Sequence, residues 1–286
     1  VTAIALKSAQ RTAMDRVTGA SHRRLSKGMK LKVVAVMRKF LREAAERVKQ
    51  EDDPAPVDSI PAFAALLRRA KMRWVYAAFA EGSQAGEMAI GRRQKAIIDV
   101  GEGGEWNIPP GADSNLRGWL TKTSRREAVR FATTIDTMVN DSLSYIDTET
   151  NRGWSPAQVA KALLETGAAK SESYASLIAR TATAYASNYG TLDSYRSNGV
   201  RVVEWMVTED DVLCDYCRSM DGVMVEIGRP FFEEGETIEL ERDDGSVRRM
   251  NTTRNVQHPP LHPHCRCTIL PVIGAAQPTS VAGGSA

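Results

Sequence analysis

All four cysteines of this 286-residue chain lie between positions 214 and 267, together with three of its four histidines. Nothing else in the sequence restricts the fold as tightly. Cys214-Asp215-Tyr216-Cys217 is one pair at two-residue separation, and His262-Pro263-His264-Cys265-Arg266-Cys267 is a second cluster. Two thiolates at that spacing can grip one cation, because the chain turns back between them. Zinc takes four such ligands in a tetrahedron, with Zn–S near ~2.3 Å. We assign Cys214, Cys217 and Cys265 to one zinc ion. The fourth place is open between His262, three before Cys265, and Cys267, two after it; His264 and His258 stand farther off. Four Cys/His ligands with no vacant position argue for a structural ion, which would lend folding energy to a module too small for a good core. Disulfides, which need an oxidising compartment, and inert buried thiols are the other readings of the same residues. The 47 residues 218–264 would form a hairpin held by the knot, a longer gap than in a standard finger.

Upstream of the cysteines the pattern is helical. Val33, Met37, Phe40, Leu41, Ala44 and Val48 recur at three- and four-residue steps and predict an amphipathic helix over 26–50, with Ser26 as its cap and Pro54 and Pro56 beyond its end. A second helix is expected over 61–90, on Phe63, Leu66, Leu67, Ala70, Trp74, Ala78 and Phe79. The glycine- and proline-rich residues 101–112 read as a loop. A third helix follows over about 114–147. Ser155-Pro156 is a good start for a fourth, with Gly167 as its stop. A further helix is expected over 171–190. After Asn198-Gly199 the pattern changes. Val200–Val207 is short and β-branched, so it reads as a strand, with others at 223–227, 236–250 and 267–272. The stretch 236–250 reads as a hairpin turning at Asp244-Gly245. The fold class expected is mainly α: a helical N-terminal body and a small zinc-stapled α+β C-terminal module. Its divisions are a basic helical arm and linker (1–60), a helical body (61–198), a β-rich zinc-binding module (199–273) and a flexible tail (274–286).

Composition enters through its distribution. Residues 1–50 carry thirteen Lys and Arg against three acids, a net +10, on a remainder of net −7. A basic arm on an acidic body suits a polyanion or an acidic protein, or is a solvated helix face. Arg23, Arg24, Lys27, Lys30 and Lys32 are its candidate nucleic-acid contacts. No apolar run reaches the ~18 residues of a membrane span, and no secretory leader is expected, although the chain opens on Val1.

Three stretches together carry a resemblance: Trp205 to Cys217 with its acidic pair Asp210-Asp211, Asp221-Gly222, and Pro259-Pro260-Leu261-His262-Pro263-His264-Cys265-Arg266-Cys267-Thr268. With Ile178 to Thr181, Asn188-Tyr189-Gly190, Tyr195 and Gly199 upstream, they make residues 155–273 resemble the phage Mu protein F-like, or head morphogenesis, minor head proteins. The resemblance implies a minor capsid protein, present in few copies, that associates with the portal and other capsid proteins during procapsid assembly in the host cytoplasm and stays inside the virion. It also implies that the basic arm meets packaged DNA without sequence preference, or docks on an acidic portal surface. Neither a membrane nor a small-molecule substrate is expected.

Enzymatic readings are weaker. A nuclease would need carboxylates on an open metal site; Asp210 and Asp211 read better as caps into the first knuckle and Asp221-Gly222 as a turn. A Cys265–His258 nucleophile pair is poorly housed among bunched cysteines, and neither a phosphate-cradling loop nor a dinucleotide fingerprint occurs. We therefore expect no enzyme. The alternatives are a zinc-containing nucleic-acid-binding protein or nuclease, and an assembly chaperone absent from finished particles.

Overall fold

The computed structural model describes residues 3–91, 108–144, 154–208, 213–241 and 245–273. Its elements are α1 (Ala3–Lys49), a 3-10 turn (Val57–Ser59), α2 (Ile60–Ala89), α3 (Pro110–Leu143), α4 (Pro156–Ser197), β1 (Val202–Met206), α5 (Asp215–Arg218), β2 (Met224–Glu226), β3 (Thr237–Glu241), β4 (Val247–Asn251) and β5 (Thr268–Pro271). The chain is mainly helical with a small strand module near its C-terminus, as the sequence predicts. Among the described residues no helix is long and apolar enough to cross a membrane. The expected tail at 274–286 and the Asp210-Asp211 caps lie outside the described residues, as does Asp244 of the expected turn.

By contacts the chain divides into two units that alternate along the sequence. One comprises 1–24, 76–107 and 180–286; the other comprises 25–75 and 108–179.

The second unit is helical. Leu25, Met29, Val33, Met37, Leu41, Ala44 and Val48 line the buried side of α1, and Leu116, Leu120, Ala128, Phe131 and Ile135 that of α3. The rings of Phe40 and Phe63 stack at 4.1 Å, and Phe131 lies 5.9 Å from Phe63 and 6.1 Å from Tyr174. Lys71 is wholly buried and meets Glu127 at 2.5 Å. Burial lowers the lysine's pKa and raises the glutamate's, while each partner's charge opposes that shift. Two sequence expectations fail here. Ser26 does not cap α1: the helix begins at Ala3 and runs unbroken to Lys49, ahead of Pro54, the first proline of the chain. Gly167 does not end a helix either, and the two helices expected over 155–190 are one, α4. A Cβ at Gly167 would stand 2.6 Å from Leu41 Cδ1, so this glycine admits a neighbouring helix. The start of α4 is as read: Ser155 N–H and Oγ both donate to Gln158 Oε1, at 2.9 and 2.8 Å, in a capping box.

The first unit joins helix ends to the strands. β1 is the centre of a three-stranded antiparallel sheet ordered β2-β1-β5, with Val203 opposite Val225 on one side and Trp205 opposite Ile269 on the other. Met14, Ala85, Ala89, Leu192, Tyr195, Val203, Met206, Ile269 and Leu270 form its core. Within this unit α2 and α4 approach closely. A Cβ on Gly190 would stand 2.0 Å from the Phe79 carbonyl oxygen, and Thr191 Oγ1 donates to the Gly82 carbonyl at 2.9 Å. α4 ends where Asn198-Gly199 predicts: Gly199 has φ +76°, and Val200 N–H returns to the Tyr195 carbonyl at 3.0 Å. β3 and β4 pair as a separate two-stranded ribbon. The segment 218–264 is therefore more than a hairpin, because it also supplies β2 to the main sheet.

Candidate metal centre

The sheet register brings the two cysteine clusters together. β1 leads out towards the first cluster and β5 leads in from the second. Because they pair antiparallel, with Met206 opposite Thr268, both clusters fall at the same end of the sheet. The first knuckle is a single helical turn. Cys214 sits at its N-cap with Sγ accepting the Cys217 N–H at 3.4 Å, and Asp215 opens the turn. Gly222 N–H donates to the Trp205 carbonyl at 2.9 Å, and Trp205 N–H to the Val223 carbonyl at 2.7 Å, which lace the knuckle to β1. The second knuckle turns at His262, whose carbonyl accepts the Cys265 N–H at 3.2 Å. It is fastened from α4. Asn188 Nδ2 donates to the Cys267 carbonyl at 3.1 Å, and Thr268 Oγ1 donates to Asn188 Oδ1 at 2.9 Å. Trp205 is fully buried in the cluster that holds Cys217, Cys265 and Cys267.

Five donors meet around Cys217. Its Sγ lies 3.7 Å from Cys265 Sγ and 3.1 Å from His262 Nε2, and Cys214 Sγ lies 3.0 Å from the same nitrogen. Cys214, Cys217 and His262 lie mutually within 4.8 Å; so do Cys217, Cys265 and Cys267. Among the described residues no larger set meets that limit, and Cys217 alone is common to both triplets. A cavity of about 20 Å³ lies against all five donors, lined also by Thr208, Leu213, His264 and Arg266.

The donor chemistry fits a divalent cation. Two sulfurs held ~2.3 Å from one tetrahedral ion stand about 3.8 Å apart, close to the Cys217–Cys265 separation. Both S···N distances are shorter than the roughly 3.5 Å edge of an S–Zn–N angle and have the length of hydrogen bonds. His262 is oriented as a ligand: Nδ1 donates to the Pro263 carbonyl at 2.7 Å, which leaves the lone pair of Nε2 facing the sulfurs. Hydrogen bonds from Cys217 and Cys267 hold the Cys265 thiol well below its ordinary pKa. Cys217 is pushed up by its hydrogen bonds to Cys265 and Cys267 and then by burial. For Cys267 the hydrogen bond with Cys217 pulls down, but Cys265 and burial outweigh it and carry the pKa to about 12. All four cysteines are free; the 3.7 Å between the sulfurs of Cys217 and Cys265 is far longer than the ~2.05 Å of a disulfide.

The other histidines have different positions. His258 is 3% exposed, with Nδ1 donating to the Pro259 carbonyl at 2.6 Å and its ring 4.8 Å from Tyr185 and 5.8 Å from Tyr189. Its pKa falls to about 3, chiefly from burial and then from the Arg254 charge. His264 has φ +66° and belongs to neither triplet. Asp221 accepts from Arg11 at 3.1 and 3.3 Å and from Val207 N–H at 3.2 Å, so this carboxylate secures the knuckle's exit. Of the basic residues read on α1, Arg24 is paired with Glu81, and Lys30 lies 2.7 Å from Glu172. Arg23, Lys27 and Lys32 are exposed. Sequence reasoning named Asn188 only within a family pattern. Its support of Cys267 depends on a contact across 79 positions that no local spacing announces.

Comparison with known families decides what this module is related to. Residues 145–270 match the family described as phage Mu protein F like protein. This segment is phage Mu protein F like. The resemblance carried by the cysteine and histidine motifs is thereby borne out over a stretch that contains both knuckles and all five donors. No curated protein and no solved structure gives a match.

Proposed function

We propose that the chain is a phage minor head protein. It would join the portal and other capsid proteins during assembly, in the host cytoplasm, and remain inside the virion. A single zinc ion closes its phage Mu protein F like segment, held by Cys214, Cys217 and Cys265 with His262 or Cys267 as the fourth ligand. The observation that carries this reading is the convergence of two knuckles, 45 or more positions apart in sequence, on the sulfur of Cys217. When bound, the ion supplies charge neutralisation and a cross-link. The chain's own residues do the rest: Asn188 and Thr268 fix the second knuckle, Asp221 the exit of the first, and Pro263 the His262 tautomer. The assembly role draws its support from the family match and from the arm of α1, whose Lys and Arg suit an acidic protein surface or packaged DNA.

Elemental analysis of the purified full chain tests the metal. We expect about one zinc per chain, background metal in Cys217→Ser, and retained but weakened binding in His262→Ala and Cys267→Ser, each of which leaves one triplet whole. Equal metal in wild type and Cys217→Ser would refute the shared-sulfur geometry. Mass spectrometry of purified procapsids and virions tests the assembly role: the protein should be present in both. Its presence in procapsids alone identifies a chaperone, and its absence from both ends the head assignment.

A further inference from the structure

The β3–β4 ribbon leaves both of its edges open. Its register runs unbroken through five pairs, from Thr237 opposite Asn251 to Glu241 opposite Val247, and among the described residues no third strand joins it. Thr252 N–H donates to the Glu236 carbonyl at 2.9 Å, one pair beyond the ribbon. Bonded and non-bonded pairs alternate along an antiparallel ladder. Ile238, Leu240, Arg248 and Met250 therefore spend their backbone groups inside the ribbon. Thr237, Glu239, Glu241, Val247, Arg249 and Asn251 direct theirs outwards. None of these strand residues is buried. Edges of this kind are ordinarily blunted by a proline, a bulge or a covering segment; these two strands hold neither proline nor bulge.

Charge is divided between the two strands. β3 carries Glu239 and Glu241 and no base; β4 carries Arg248 and Arg249 and no acid. Within the ribbon Arg249 Nε lies 2.5 Å from Glu239 Oε1, and both side chains stay more than half exposed. Glu241 faces Val247, and among the described residues no ion pair engages it. We propose that copies of this chain associate head to tail through the ribbon, the β3 edge of one copy adding to the β4 edge of the next. A two-fold pair would set β3 against β3 or β4 against β4. Acids would then oppose acids, or arginines oppose arginines, and like charges opposite one another destabilise a sheet. The β3-to-β4 junction sets glutamates against arginines. It also continues the antiparallel ladder, because β3 and β4 already run in opposite directions. Backbone bonds supply its affinity and the charges choose the partner. A junction between two different edges repeats, giving a ring where the rotation closes and a filament where it does not. Five residues make a small edge, so association depends on concentration. This inference stands on the ribbon alone and is independent of the metal and of the head assignment.

Sedimentation velocity of the full chain from about 5 to about 200 μM tests it. We expect dimers, trimers and larger species in succession as concentration rises, and weaker association as salt is added. Glu239→Lys/Glu241→Lys makes both edges basic, and Arg248→Glu/Arg249→Glu makes both acidic. Each should lower self-association more than about tenfold. An equimolar mixture of the two should recover it, which also shows that both are folded. Thr237→Pro removes one outward N–H and leaves the ribbon's own ladder and every charge in place; it should weaken association by a similar factor. A wild-type chain that stays monomeric over this range, or that stops at dimers, overturns the proposal. So does undiminished association in either charge variant or in Thr237→Pro, or a mixture that associates no better than its parts.

Discussion

His258 illustrates how a residue type at the right address can have the wrong role. It lies four positions before His262, yet its ring is packed among tyrosines and its Nδ1–H is spent on a carbonyl. The neutral imidazole is the form the core accepts. Its folded pKa of about 3 lies below the usual value near 6.5, so the unfolded chain binds the proton more readily across that interval. The stability His258 contributes is complete above pH 6.5 and is lost as pH falls towards 3. Between pH 6.5 and 5 the loss should be about 2 kcal/mol. Urea unfolding of wild type and His258→Phe at both values measures it: the variant should show a shallower decline, and parallel declines would show that His258 does not titrate in this interval. The sequence announced the five donors around Cys217, because spacing within each knuckle is a local property. It set His258 aside by its distance from the knuckle alone, and could not give its place, because burial against Tyr185 and Tyr189 is decided by the fold.

At the scale of elements, periodicity located the helices, and glycine was harder to interpret. Gly199 is a true terminator, with φ +76°. Gly167 and Gly190 lie mid-helix at close approaches to other chain segments. The two approaches differ in what they would meet. A methyl at Gly190 strikes backbone, at 2.0 Å from the Phe79 carbonyl oxygen; one at Gly167 strikes the side chain of Leu41. Leu41 can change rotamer and a helix backbone cannot. Gly190→Ala should therefore cost more, about 3 kcal/mol, and Gly167→Ala about 1 kcal/mol, partly offset by alanine's better helix propensity. Chemical denaturation followed by circular dichroism would check the order, and an equal cost for both would contradict the backbone contact at Gly190. Helix starts were legible where the chemistry is local, as in the Ser155–Gln158 capping box. The start of α1 was not, because residues 3–25 are helix formers without an apolar stripe in that segment.

For the whole molecule, the relevant division is by contacts and cuts across the helices. Asn188 and Tyr195 of α4 both bond to the segment 267–269, so the second knuckle has support besides any cation. Chelation should loosen residues 205–223 and 258–268 first and leave the helical unit of 25–75 and 108–179 protected. Hydrogen exchange with and without a chelator would resolve this by segment. Uniform deprotection would mean that the metal holds far more than the module, and unchanged exchange throughout would mean that it holds nothing. Charge distribution was readable along the sequence only as a basic beginning. The pairing of Arg24 and Lys30 was not readable there, because Glu81 and Glu172, the acids that neutralise them, are distant in sequence.

The alternation of the two units along the chain constrains the order of events during synthesis. The helical unit has all its residues once position 179 has left the ribosome. The other must wait: Met14 packs in the same core as Ile269 and Leu270, and Arg11 is bonded to Asp221. Until the last strand emerges, the first two dozen residues have only part of their native surroundings, Glu81, Ala85 and Ala89 among them. Nascent chains stalled before β5 should therefore expose a cationic, partly apolar end to chaperones and nucleic acids for most of the translation time.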